Sequence, residues 1–274
     1  MVTIDGRGED RSSYLLADQA SELERLQLQS LVWESSGRHL LSSLAGGSGG
    51  RALDVGCGVL GWLRILSEWV GPSGRVVGGD VDERMLATAD PFLRAEGISN
   101  VELVVDDLFE SKLEPQSFDL VHARYQIAPL GRGREQVASH RRLIRPGGWL
   151  VLEEWDFGSW HFNPPAPAAE ELIRFLYEIF AALGGEAGRE VPALLRGSGM
   201  ADPEIAAHVV ALEAGHPYLR LPLQFSVALE ARLLKLMSAG ELASLRRTAE
   251  AELADPGRWG TTFTLIQGWG TVEG

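Results

Sequence analysis

Two carboxylates and a run of glycines carry the chemistry most visible in this sequence. Asp54 sits in a short apolar run, Leu53-Asp54-Val55, and Gly56, Gly58 and Gly61 follow directly. Glycines let a backbone turn sharply and let a ligand come close to it. A second carboxylate, Asp80, closes the next apolar run, Val76-Val77-Gly78-Gly79. A carboxylate at such a strand end can accept hydrogen bonds from both hydroxyls of a ribose. The pair therefore points to an adenosine-containing ligand. Gly56-x-Gly58-x-x-Gly61 alone also satisfies the dinucleotide fingerprint. Asp54 weighs against that reading, because a carboxylate there would repel a pyrophosphate and would suit a cationic group.

These residues need a scaffold, and the hydrophobic periodicity supplies one. Leu23, Leu26, Leu31 and Trp33 line one side of a helix, and Ser21-Glu22-Leu23-Glu24 reads as its capping box. A bend at Ser35-Ser36-Gly37 is expected before a second helix over 38–44, and 45–50 reads as a flexible joint. Short apolar runs at 51–55, 75–79, 101–105, 118–123 and 149–153 then alternate with helical stretches. Asp82 can cap one of these helices and Pro91 should kink it. That alternation predicts βαβ units and a parallel sheet. An aromatic, proline-rich loop is expected at 155–167, helices at 168–183 and 191–195, a sixth strand at 204–212 and a seventh at 261–269. The fold class is thus α/β, a seven-stranded, mostly parallel sheet with helices on both faces. Residues 1–50 form an N-terminal helical arm. Residues 51–274 form the main domain, with a helical lid at about 214–258 above the sheet's ligand-binding edge.

Composition narrows the partners. The net charge is −13, from 25 basic and 38 acidic residues. Such a field repels nucleic acid and tolerates a neutral or cationic small molecule. The single cysteine, Cys57, rules out an intrachain disulfide and a cysteine-rich zinc site. It reads as a small packed residue. The histidines show no ligand spacing, so no metal is expected. No continuous apolar run is long enough to span a bilayer, and the N-terminus lacks signal-peptide character. A cytoplasmic location is the expectation, and an exposed arm suits a homodimer contact.

Five motifs in order carry a resemblance. Leu53 to Gly61 form the first, Val76 to Asp80 the second, and Asp106-Asp107-Leu108 the third. Phe118-Asp119-Leu120-Val121-His122-Ala123-Arg124 and Leu143-Ile144-Arg145-Pro146-Gly147-Gly148-Trp149-Leu150 complete the set. Over nearly its whole length the chain resembles the class I, Rossmann-like, S-adenosylmethionine-dependent methyltransferases, and closely a bacterial subgroup acting on small molecules. One departure is visible: the glycine usual at Leu60 stands instead at Gly61. The resemblance implies S-adenosyl-L-methionine as cofactor. It implies that Asp54, Gly56 and Gly58 meet the methionine part and that Asp80 and Val81 meet the ribose and its surroundings. Asp107 and the Leu108 amide would face the adenine. The backbone near Arg124 would lie by the methionine, and Tyr14 and Trp33 of the arm would close over the cofactor.

Methyl transfer from a sulfonium is an in-line displacement, helped by alignment in a dry pocket. A base is required only where the acceptor carries a proton at working pH. Tyr125, Asp156 and His161 are the candidate catalytic residues, since they follow the fourth and fifth strands. His122, inside a strand, reads as a packing or hydrogen-bonding residue, and Asp119 as a solvated one. The cluster Trp155, Phe157, Trp160 and Phe162 reads equally as a site for a flat or apolar metabolite or as loop packing. The expected function is O-, N- or C-methylation of a small, aromatic or apolar compound of specialised metabolism. An NAD(P)-dependent oxidoreductase on the same turn, or a non-catalytic cofactor-binding homologue, are the alternatives. Against the former, the Tyr-x-x-x-Lys pair is missing: Pro129 follows Tyr125 at that spacing, and Ala181 follows Tyr177.

Overall fold

The structure is a computed structural model and describes residues 20–184 and 187–273. Tyr14 lies outside the described residues, as do the side chains of Ser21 and Glu24. Helix α1 (Ala20–Ser43) leads into β1 (Arg51–Val55), α2 (Leu63–Val70), β2 (Arg75–Asp80), α3 (Glu83–Ala95) and β3 (Val101–Val105). The second half of the sheet begins with β4 (Phe118–Arg124), α4 (Ile127–Leu130), α5 (Gly133–Leu143) and β5 (Ile144–Asp156). Then come β6 (His161–Asn163), α6 (Pro167–Gly184), α7 (Ala187–Gly197), β7 (Met200–His208) and β8 (Ala211–Leu212). The chain closes with α8 (Leu221–Ala228), α9 (Glu230–Leu233), α10 (Ala239–Leu253), β9 (Trp259–Thr261) and β10 (Thr264–Val272).

Seven strands form the main sheet in the order β3-β2-β1-β4-β5-β10-β7. Strand β10 runs antiparallel to both neighbours, and β1 to β5 are mutually parallel. The order reverses between β1 and β4, so the crevice at their C-terminal ends is where such sheets bind ligands. The central strands are buried on both faces, as in β4, where only Arg124 is even partly exposed, whereas the edge strands β3 and β7 are not. Asp82 caps α3 by accepting from the Arg84 amide at 2.9 Å, and α3 runs on through Pro91.

Four local expectations are corrected. Helix α1 continues through Ser35-Ser36-Gly37 without the expected break. Ser36 Oγ bonds the Trp33 carbonyl within the helix, and Gly37 allows close packing: a Cβ there would lie 2.7 Å from Ile65. The expected loop at 155–167 is largely ordered. Trp155 and Asp156 extend β5 because β10 pairs with them, and β6 joins β9 and β8 in a second, three-stranded sheet. The sixth strand starts earlier, at Met200, where pairing with Val272 begins, and its last residues cross over as β8. Finally, Asp119 is buried; it accepts from the Arg51 amide at 2.7 Å and pairs with Arg145, tying β4 to β1.

Helices α6, α8 and α10 pack on one another beside the main sheet, and α1 touches α2 and the turn before α8. The aromatic cluster resolves as packing. Phe263 is fully buried and meets Trp33, Tyr125, Trp155, Phe157, Trp160 and Tyr218, with ring centroids 5.4 to 6.2 Å apart. Phe162 is buried in the same core.

Candidate functional site

Strand β1 delivers Asp54 to the start of the glycine turn. Gly56 and Gly58 both adopt left-handed backbone, at φ 61° and 56°, which an L side chain resists. Asp54 Oδ2 accepts from the Trp62 amide at 2.7 Å, closing the turn onto the start of α2. Gly61 must be glycine for the same reason: a Cβ there would lie 2.4 Å from Asp54 Oδ2. The departure from the family's spacing thus places a glycine where the carboxylate needs room.

Across the turn, Asp80 Oδ2 accepts from the Gly58 amide and Oδ1 from the Asp82 amide, each at 2.9 Å. Burial pushes the Asp80 carboxyl upward, against the pull of these two amides. Val81, next along, is 61% exposed, and Asp107 is exposed at the neighbouring strand end. The Asp107 carboxylate accepts from the Phe109 amide, while the Leu108 carbonyl accepts from Ser139. Asp54, Gly56, Gly58, Asp80, Val81, Asp107 and Leu108 therefore stand along one edge of the sheet, at the ends of three adjacent strands.

The site is roofed by α1. Ser30 Oγ donates to the Gly61 carbonyl at 2.9 Å, and Leu26 lies 3.9 Å from where a Gly58 Cβ would be. A narrow crevice of about 10 Å³ between α1 and the turn is lined by Ser30, Gly61, Trp62, Arg64 and Arg124 among others. The Gln126 amide lies over Gly56 and donates to its carbonyl at 3.4 Å. A ligand laid against Gly56 has to displace that flexible side chain. Trp33 donates to the Tyr218 hydroxyl at 3.2 Å, so it packs in the core rather than over the turn.

Of the three candidate catalytic residues, Tyr125 follows the strand that pairs with β1. It follows β4 in left-handed backbone at φ 56° and is buried, and its hydroxyl has no hydrogen-bond partner. Burial pushes that hydroxyl well above the usual tyrosine range. Asp156 instead caps the following turn through the Gly158 amide and pairs with Arg189. His161 is exposed on β6, in the smaller sheet. Cys57 is buried and its thiol pushed well above the ordinary range, chiefly by burial, so it is inert.

Three further buried polar groups, His122, Glu153 and Glu154, border the site. His122 lies between Asp54 and Glu153, and Glu153 reaches Gln267. Glu154, on the other face of β5, accepts from the Ile127 amide at 2.6 Å, and its second oxygen has no partner. Burial pushes it up to about 8. The signal was available: a histidine and two glutamates inside runs that read as fully apolar strands need partners. Among the described residues, no three His, Cys, Asp or Glu side chains gather as metal ligands. No described helix is long and apolar enough to cross a membrane.

Comparison with known proteins agrees with this arrangement. A family model described as a methyltransferase domain matches residues 52–148. The demethylmenaquinone methyltransferase of Geobacillus kaustophilus is 30% identical over 183 residues, covering 61% of this chain and 78% of that one. Its counterpart from Staphylococcus carnosus is 31% identical, covering 59% and 64%. Among solved structures, phosphoethanolamine N-methyltransferase 2 of Haemonchus contortus with bound S-adenosyl-L-methionine superposes with a TM-score of 0.61 at 17% identity. That match covers 97% of this chain and 61% of the other. The geranyl diphosphate C-methyltransferase of Streptomyces coelicolor gives 0.52 at 14% identity, covering 96% and 90%. The strand order, the glycine turn with its two carboxylates and these relatives agree: the chain belongs to the class I S-adenosylmethionine-dependent methyltransferases.

Proposed function

We propose that this enzyme methylates a small aromatic or apolar acceptor held above the C-terminal ends of β4 and β5, with Tyr125 in contact with it. The observation that carries the reading is Tyr125 itself. A non-glycine residue in left-handed backbone costs about 1–2 kcal/mol. A buried hydroxyl without a partner costs about 1–3 kcal/mol more. Such local costs concentrate at functional sites. Relatives named for demethylmenaquinone methylation support a flat, ring-shaped acceptor. Asp156 and His161 are weaker candidates, since one is occupied by Arg189 and the other lies on the smaller sheet.

S-adenosylmethionine supplies an electrophilic methyl group on a sulfonium. This chain's residues would hold it as follows. Asp80 accepts from the ribose hydroxyls with Val81 beside it, Asp107 and the Leu108 amide face the adenine, and Gly56 and Gly58 admit the methionine part. Asp54 and the Arg124 backbone border the same end. Left-handed glycines, the half-buried Asp80 and the exposed Asp107 at adjacent strand ends fit that ligand. The N-terminal arm, through α1, acts as a cap over this site and the helical segment at about 214–258 as its lid, and the protein works on small molecules rather than nucleic acid, in the cytoplasm and as a homodimer.

The test is an acceptor screen with S-adenosylmethionine, read by mass spectrometry for a gain of one methylene, starting with demethylated quinone-type rings and other flat aromatics. Tyr125→Phe is then compared with wild type. Turnover is expected to fall about tenfold or more while S-adenosylhomocysteine affinity and thermal stability hold or improve. Full turnover in that variant removes Tyr125 from the acceptor site. Nicotinamide nucleotide binding without S-adenosylmethionine binding removes the cofactor reading.

A further inference from the structure

We propose that His122 is a doubly protonated positioning residue, which ties Asp54 to Glu153 beneath the glycine turn and holds that turn in its cofactor-binding shape. Donors and acceptors around the ring match one for one. His122 Nδ1 lies 2.7 Å from Asp54 Oδ1, and Nε2 lies 3.3 Å from Glu153 Oε2. The two remaining carboxylate oxygens also face donors: Asp54 Oδ2 takes the Trp62 amide at 2.7 Å, and Glu153 Oε1 takes Gln267 Nε2 at 2.6 Å. Four acceptor oxygens therefore meet four donor positions. A neutral imidazole carries one N–H and would turn a lone pair on one of the two carboxylates. Only the imidazolium donates to both.

Charge leads to the same assignment. Asp54, His122 and Glu153 are each buried, and an uncompensated carboxylate there is costly. Asp54 faces His122 from β1, Glu153 from β5 and Gln267 lies beyond it on β10. On the ring's own strand, Arg124 stands 3.7 Å from Glu153. From α5, His140 is pushed down to about 4 by burial and is neutral. Trp62 stacks on the ring at 3.8 Å and within 9° of parallel, the partner a cation prefers. Burial by itself lowers the His122 pKa, but the two carboxylates outweigh it and the net shift is upward. The sign follows: the contribution is full below the unfolded value of about 6.5 and is lost as pH rises through the higher folded value.

The link to function runs through Asp54. Its other oxygen fixes the start of α2 and thereby the glycine turn, so a loosened His122 loosens the turn. This step rests on the reading that the turn holds the cofactor. The deciding variant is Glu153→Gln. Its amide oxygen still accepts from Gln267, and its NH2 now donates to His122 Nε2, so a neutral ring is fully satisfied.

The experiment is nitrogen-15 NMR of the His122 ring in the full-length, ligand-free protein, with calorimetric titration of S-adenosylhomocysteine from pH 6 to 9. In wild type, two ring N–H groups are expected at pH 7, and affinity should drop at least tenfold across the pH at which the ring deprotonates. In Glu153→Gln, a single N–H at Nδ1 and an affinity flat within about threefold are expected. A neutral ring in wild type at pH 7 overturns the assignment, as does a doubly protonated ring in Glu153→Gln. Wild-type affinity that stays flat through a visible deprotonation overturns the positioning role. Failure of S-adenosylhomocysteine to bind at any pH, with the imidazolium present, overturns the cofactor reading and the positioning role together while leaving the ring's protonation established.

Discussion

Asp80→Ala tests the ribose assignment in a way whose size can be worked out beforehand. Asp80 accepts two amides in the ligand-free fold, from Gly58 and Asp82, each at 2.9 Å. Hydrogen bonds to a charged group contribute about 1.5–3 kcal/mol each. Removing the buried carboxylate returns part of that, because burial already disfavours its charge. The net folding loss is therefore about 1–2 kcal/mol, which for a chain of this size lowers Tm by roughly 2–8 °C. Cofactor binding loses more. Two ribose hydroxyls donating to one carboxylate contribute at least about 3 kcal/mol, or about 100-fold in Kd. Asp80→Asn keeps the size and one acceptor, so it should fall between, at about tenfold. Calorimetry with S-adenosylhomocysteine measures the affinities, and thermal melts confirm that both variants are folded at the assay temperature. A folded Asp80→Ala with Kd within about twofold of wild type refutes the assignment of the ribose to Asp80.

Phe263→Ala removes the ring on which six other aromatic side chains converge, and should cost about 3–5 kcal/mol of stability in a denaturant melt. A loss below about 1 kcal/mol would show that the site collapses freely and that Phe263 is not central to the core. Glu154→Gln isolates one pH effect. Burial holds that carboxyl at about 8, whereas an unfolded glutamate titrates at about 4.3. Between those values the fold holds a proton that the unfolded chain has released, so wild-type stability declines as pH rises. The variant should match wild type near pH 4 and exceed it at pH 9, by an amount on the order of a few kcal/mol. Parallel stability curves for the two proteins would count against a protonated Glu154. Gly61→Ala forces a Cβ against Asp54 and should lower both Tm and S-adenosylhomocysteine affinity; unchanged values of both in calorimetry would mean that the turn relaxes at no cost.

Much of the framework is local and was therefore legible in the chain. The glycine turn and the Asp82 cap depend on neighbours within a few residues, and the residue types and places of Asp54 and Asp80 mark them at their strand ends. The alternation of apolar runs and helical stretches fixed the class of sheet, and five motifs in order identified the family. The local signals misled where a distant partner intervened. Ser35-Ser36-Gly37 looks like a break, but Trp62 and Ile65 pack against Gly37 and keep α1 continuous. Asp119 looks like a solvated strand start, but the Arg51 amide and Arg145 take it in.

Which residues meet across the sheet was decided by tertiary structure alone. His122 lies 68 residues from Asp54 and 31 from Glu153, and Gln267 lies 114 beyond Glu153. Periodicity could show that His122 and Glu153 are buried in strands and in need of partners. It could not show that β1, β4, β5 and β10 lie side by side in a register that brings four polar groups into one line. Strand order and register are set by the packing of whole helices and sheets, and that is why the glycine turn was visible in the sequence while its support beneath was not.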